Sequence, residues 1–113
     1  MLPIMQKLGT DMTALTHALM VEDRERVAAS ARAIAEHTPI AQQDLERIHR
    51  ILGDDMAEFE RLDAEVHNAS VHLRETATAG NMTQVVERLG VVQRGCMECH
   101  TRFRAKLRTN PQP

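Results

Sequence analysis

From Pro3 to Val21 the apolar residues Met5, Leu8, Met12, Leu15 and Leu19 recur at spacings of 3, 4, 3 and 4, the narrow stripe of a helix that packs one side into a bundle. Pro3 suits a first helical turn, where its missing donor costs nothing. Glu22-Asp23 interrupts the stripe, and Asp23 stands where it can cap a second helix running to about His37. That helix turns Val27, Ala31 and Ile34 inward, and its many alanines let a neighbour approach closely. Thr38-Pro39 ends it, because the residue before proline avoids the helical region. A shorter piece from Gln42 to Leu52 carries Leu45, Ile48 and Leu52, with Gly53 as its stop and Asp54 as the next cap. The third long helix extends to about Ala79 on Phe59, Leu62, Val66, Ala69 and Leu73. Gly80 follows as the C′ residue and Asn81 as a fresh N-cap. The last helix puts Val85, Leu89, Val92, Cys96, Cys99, Phe103 and Leu107 on one stripe, and Asn110-Pro111-Gln112-Pro113 reads as a frayed tail. No strand pattern, repeat or linker interrupts the series. Four main amphipathic helices with short connections predict an all-α, antiparallel up-down four-helix bundle, one domain over residues 1–113.

Composition sharpens this in one respect. A chain of 113 residues can build one core, and 42% hydrophobic with 27% charged residues suits a soluble globular protein. Yet the core has only two Phe, with no Trp or Tyr, against seven Met. A large flat apolar body is missing, and Met packs well around irregular shapes. The net charge of −2 comes from interspersed acids and bases, which gives no case for nucleic acid or an anionic membrane surface. No apolar run approaches the roughly 20 residues of a membrane span.

The candidate chemistry lies near the C-terminus, in Cys96-Met97-Glu98-Cys99-His100. These are the only two cysteines in the chain. On a helix Cys96, Cys99 and His100 share one face, and C-x-x-C-H is the attachment signature of c-type haem, in which two thiols bond to the vinyl groups and the imidazole ligates iron. A structural zinc site competes but needs two more ligands, and His67 and His72 stand five apart, off a common helical face. A thioredoxin-like pair also competes but wants a βαβ context that the pattern lacks. The expected cofactor is one covalent haem. Gly90 and Gly95 each cost about 1 kcal/mol against Ala in a helix interior, so close approach of backbone to a porphyrin or a partner helix is expected there.

Taken together, the residues Cys96-Met97-Glu98-Cys99-His100-Thr101-Arg102-Phe103-Arg104 resemble the class II cytochromes c, the cytochrome c′ family: C-x-x-C-H on the last helix, then two residues, an aromatic and a base. The segment from Met5 to Leu15 resembles the family's distal segment with Gly9 in register, and Gly80-Asn81 resembles the turn before the haem helix. The middle third matches in helix pattern only. The chain departs from the family in carrying Met1-Leu2 where an Arg-Gln pair precedes the distal residue. The resemblance implies that Cys96 and Cys99 hold the haem, that His100 is the proximal ligand, that Arg104 lies near the proximal face, and that Met5 occupies the distal position. In the high-spin members that position is a non-ligating apolar residue, and in the low-spin branch it is an iron-bound methionine.

Phe103 is expected against the haem edge. Met12, two turns along the same stripe, is the competing distal ligand. In an up-down bundle the first and last helices are antiparallel, which favours Met5. His17, His37, His49, His67 and His72 fall on no clean apolar stripe and read as solvated. The leading functional expectation is electron transfer by a His/Met-ligated haem, since methionine favours ferrous iron and a saturated iron has no site for substrate. The alternative is a five-coordinate haem that binds NO or CO, and a haem domain belonging to a larger enzyme is a third reading. No arrangement supports hydrolytic catalysis, and the chain is not expected to be an enzyme. The expected partner is a redox protein, and the family implies a homodimer through the first two helices, which the alanines of helix two permit. Haem attachment to C-x-x-C-H takes place outside the bacterial cytoplasm, so the expected location is periplasmic, with the sequence read as a mature form without its signal peptide.

Overall fold

Helices begin and end where local chemistry asks them to. The computed structural model describes residues 2–108; Met1 and the expected tail Asn110–Pro113 lie outside the described residues. The elements are α1 (Leu2–Met20), α2 (Arg24–Ala35), α3 (Gln42–Leu52), a 3₁₀ turn (Gly53–Asp55), α4 (Met56–Ala79), α5 (Met82–Cys99), a π-helical turn (His100–Arg104) and a short α6 (Ala105–Arg108). The four principal helices are α1, α2, α4 and α5, and among the described residues there is no strand. They form an elongated body of 46 × 22 × 20 Å in which α2 packs on both α1 and α4, and α4 on α5.

The first turn is drawn tight. Asp23 N–H donates to Ala18 O at 2.8 Å and Glu22 N–H to Leu19 O at 3.0 Å, with Glu22 in the left-handed region at φ 56°. This is the bonding of a helix terminus that usually carries glycine. It delivers Asp23 to the start of α2, where its carboxylate accepts from Arg26 N–H at 3.1 Å, as the sequence predicts. Asn81 and Gln84 form a reciprocal capping box at the start of α5 (2.9 and 3.0 Å). Gly53 closes α3 at φ 54°.

Three expectations need correction. Asp54 caps nothing: it lies within the 3₁₀ turn, and no side chain caps the start of α4. Gly80 is extended, not left-handed. Its need for glycine is spatial, since a Cβ there would meet Thr76 O at 2.9 Å and Gln84 Oε1 at 2.7 Å. The last helix is not continuous but widens into the π turn after Cys99.

The core falls into two clusters. The main one joins Leu15, Ala18, Val27, Ala31, Ile34, Leu73, Ala77, Val85, Leu89 and Val92 from all four principal helices. Its predicted members on α2 and α5 are buried as expected. On α1 the buried line runs through Asp11, Leu15 and Ala18, which leaves Met5, Met12 and Leu19 half-buried at its flank. Asp11 is tolerated there because Lys7 Nζ, one turn earlier, reaches its carboxylate at 2.5 Å. The second cluster joins Ile48 and Leu52 of α3, Met56, Phe59 and Leu62 of α4, and Phe103.

Candidate functional site

The candidate residues lie where α5 passes from one cluster to the other. Cys96 and Cys99 occupy its last turn, both half-buried and both free thiols. Cys96 packs against the main cluster and Cys99 against the second, so the pair straddles the division in the core. Between them Met97 and Glu98 are exposed. Burial pushes both thiols up from their ordinary range, and the negative charge of Asp63 adds to this at Cys99. A reactive thiolate needs the opposite shift.

His100 is half-buried and is the first residue of the π turn, its backbone N–H shared between Cys96 O and Met97 O. Phe103, expected against the haem edge, is buried in the second cluster, on which Cys99 also packs, edge-on to Phe59 with ring centroids 5.7 Å apart and planes at 69°. Arg104 is exposed and pairs with none of the described residues. The base that does make contact is Arg102, whose Nη1 donates to Glu58 Oε1 of α4 at 2.7 Å. A second link, Lys106 to Asp55 at 3.7 Å, ties α6 to the 3₁₀ turn. Glu58 is also gripped by Arg61, which, with Arg102, holds its carboxyl below the usual range.

Phe59, Glu58 and Arg102 escaped the sequence reading. A signal was present: each of the chain's two phenylalanines follows a charge, Glu58-Phe59 and Arg102-Phe103, of opposite sign.

On α1, Met5 is half-buried and belongs to neither cluster. Met12 packs against the main cluster, and its sulfur accepts a weak contact from Gln93 Nε2 of α5 at 3.9 Å. Gly95 has the packing reason expected of it, because a Cβ there would stand 2.8 Å from Val66 Cγ2 of α4. Gly90 has none, with nothing within 4 Å of its position.

A concavity of about 410 Å³ is an open groove on the outer side of α4 and α5 between His72 and Arg94, and neither cysteine lines it. The histidines outside the motif are exposed, except half-buried His37. The Nδ1 atoms of His37 and His67 lie within hydrogen-bond distance of backbone carbonyls, at 2.8 and 2.9 Å. Among the described residues no three His, Cys, Asp or Glu side chains gather as metal ligands, and no helix is long and apolar enough to cross a membrane. No family model, curated protein or solved structure matches this chain.

Proposed function

We propose that this chain is a periplasmic electron-transfer cytochrome, an up-down four-helix bundle of the class II type that carries one haem bound through Cys96 and Cys99. The observation that carries the reading is the divided core. One half-buried thiol packs against each cluster. A flat macrocycle joined to both thiols would lie along that division and complete both clusters. The residues present therefore fit the group. Bound there, haem supplies a one-electron iron couple tuned by its axial ligands.

His100 is the proximal ligand in this reading, and the distal one follows from register. Met12 is level with Gln93. Seven residues back along α1 is Met5, and seven residues on along α5 is His100. At about 1.5 Å per residue both steps cover about 10 Å, so with α1 and α5 antiparallel, as this reading has them, Met5 and not Met12 would be the methionine level with His100. The chain's own contribution would be to supply sulfur from α1 and imidazole from the end of α5, and to exclude water with Leu8 and the main cluster. Phe103, packed on Phe59 in the cluster that Cys99 joins, would meet the haem from that side, and Arg104, exposed just after it, would lie near the proximal face.

The test is absorption spectroscopy of protein produced with a haem-attachment system. Colour should survive acid-acetone extraction, and the ferric protein should show the long-wavelength methionine–iron band. Met5→Ala should abolish that band and open the iron to CO, whereas Met12→Ala should leave it low-spin. Extractable haem or two titratable thiols would overturn attachment. A high-spin ferric spectrum in the unmutated protein would favour the five-coordinate, NO/CO-binding reading instead.

A further inference from the structure

The helical ladder that presents His100 is interrupted at His100 itself. Up to Cys99 the backbone is α-helical, and from His100 to Arg104 it opens into a wider turn. Such single π turns are rare and bond less well than the α-helix, so they persist where something outside the helix holds them. Here two contacts from consecutive residues of α4 do so. Phe59, 5% exposed, meets the edge of Phe103, 4% exposed, and Glu58 accepts from Arg102 at 2.7 Å. The ion pair is solvent-exposed on both sides and contributes little by itself. The ring contact is buried.

The turn has a geometric effect. In an unbroken α-helix Phe103 would stand four residues from Cys99 and seven from Cys96, on the same stripe as both thiols. In a wider turn each residue advances through a smaller angle, so Phe103 falls back to the Cys99 edge of that stripe and enters the second cluster against Phe59. Cys99 packs on that same cluster, so the ring is held on the Cys99 side of the face that carries His100. His100 is the junction: its own backbone is α-helical, φ −60° and ψ −45°, with its N–H bonded back into α5, and the segment that follows it is the one held by α4.

We propose that Phe59 is a positioning residue for His100, acting through Phe103 and the π turn, with Glu58 assisting through Arg102. The inference rests on the haem-ligand reading for what His100 does, and on packing alone for how it is held.

The experiment uses the full chain and two variants, Phe59→Leu, which keeps apolar volume but removes the ring, and the milder Glu58→Gln. Amide hydrogen exchange across residues 100–104 should quicken about tenfold in Phe59→Leu, with Leu15, Leu73 and Val85 unchanged, because the opening is local. Glu58→Gln should move the same amides less. In the haem-bearing protein, the spread of the paramagnetically shifted haem methyl resonances, which reads the orientation of the axial ligands, should change in Phe59→Leu. Unchanged exchange in both variants would overturn the proposal. Faster exchange with an unaltered methyl pattern would reduce Phe59 to a packing residue and overturn it too. A colourless unmutated protein would instead strike the haem reading itself, leaving His100 no iron to be positioned for.

Discussion

The two clusters of the core are built by different means. The main cluster draws on four helices and closes with aliphatic residues alone: Leu15, Val27, Ala31, Leu73, Ala77, Val85 and Val92 are all at 0% exposure. Small residues on α2 let α1 and α4 come close enough that no ring is needed to fill the space. The second cluster has α3, the first turns of α4 and the end of the chain, and it holds both phenylalanines. Its edge is open, with Ile40, Leu45, Ile51, Cys99 and Leu107 only half-buried around it. The difference teaches that the fold can be specified by the first cluster while the second stays incomplete, and the candidate site lies at the junction.

The comparison is broken most directly by truncating one buried residue in each cluster. Leu73→Ala should cost about 3 kcal/mol and lower the denaturation midpoint of the whole chain, since a dense site collapses poorly around a cavity. Ile48→Ala should cost less, about 2 kcal/mol, because an open edge relaxes more readily. Its amide exchange should rise over 45–62 and 100–107 and not over 73–92. Equal costs and a common exchange pattern would mean that the two clusters behave as one.

The glycines of α5 sharpen the contrast at the helix facing both clusters. Gly95→Ala should destabilise by about 1 kcal/mol, the clash with Val66 outweighing the gain in helix propensity. In a Val66→Ala background the same change should become stabilising. Gly90→Ala, in open space, should stabilise by about 0.5–1 kcal/mol in either background. Thermal melts of the six chains, the two backgrounds and each glycine change in both, decide the matter.

Smallest is the effect of acid on the second cluster. Glu58 titrates below its unfolded value near 4.5 because Arg61, and after it Arg102, favour its charged form. The support it gives is therefore present above that value and lost as pH falls through the folded one. As pH falls through that folded value, the Arg102 side-chain resonances should revert toward free-arginine positions while the methyl resonances of Leu15 and Val85 stay put.

Much of the fold is legible in the sequence because it depends on short-range chemistry. Asp23 and Asn81 cap where a donor-poor terminus needs an oxygen, Gly53 stops a helix at a positive φ, and Val27, Ala31 and Ile34 repeat at helical spacing. Asp11 was hidden because a polar residue in an apolar line is read as facing outward until Lys7 is seen to reach it. The π turn was hidden for a different reason. Cys96, Cys99, Phe103 and Leu107 are spaced as a continuous α-helix would have them, and only Phe59, 44 positions before Phe103, shows otherwise. The candidate site divides the same way: Cys96, Cys99 and His100 are marked by spacing that bond-forming chemistry demands, while Glu58 and Phe59 act across helices, and the stripe that marks Phe59 as apolar does not tell which residue it meets. Arg104 was singled out by its place in the motif, yet it is Arg102 that finds a partner.

Arg24, at the start of α2, donates to Ala77 O at 3.3 Å and to Gly80 O, so it holds the last carbonyls of α4 from 53 and 56 positions away. Residues 21–23 alone separate α1 from α2, and residues 80–81 alone separate α4 from α5, so those pairs can find each other by local search. The meeting of α2 with α4 cannot, since the chain from Glu36 to Asp55 must first be looped back, and closing long loops is what slows folding. The order of assembly follows: two quick helix pairs, then one slow docking step that Arg24 fastens, so that the rate at which the molecule reaches its native state is governed at an interface remote from Cys96 and His100.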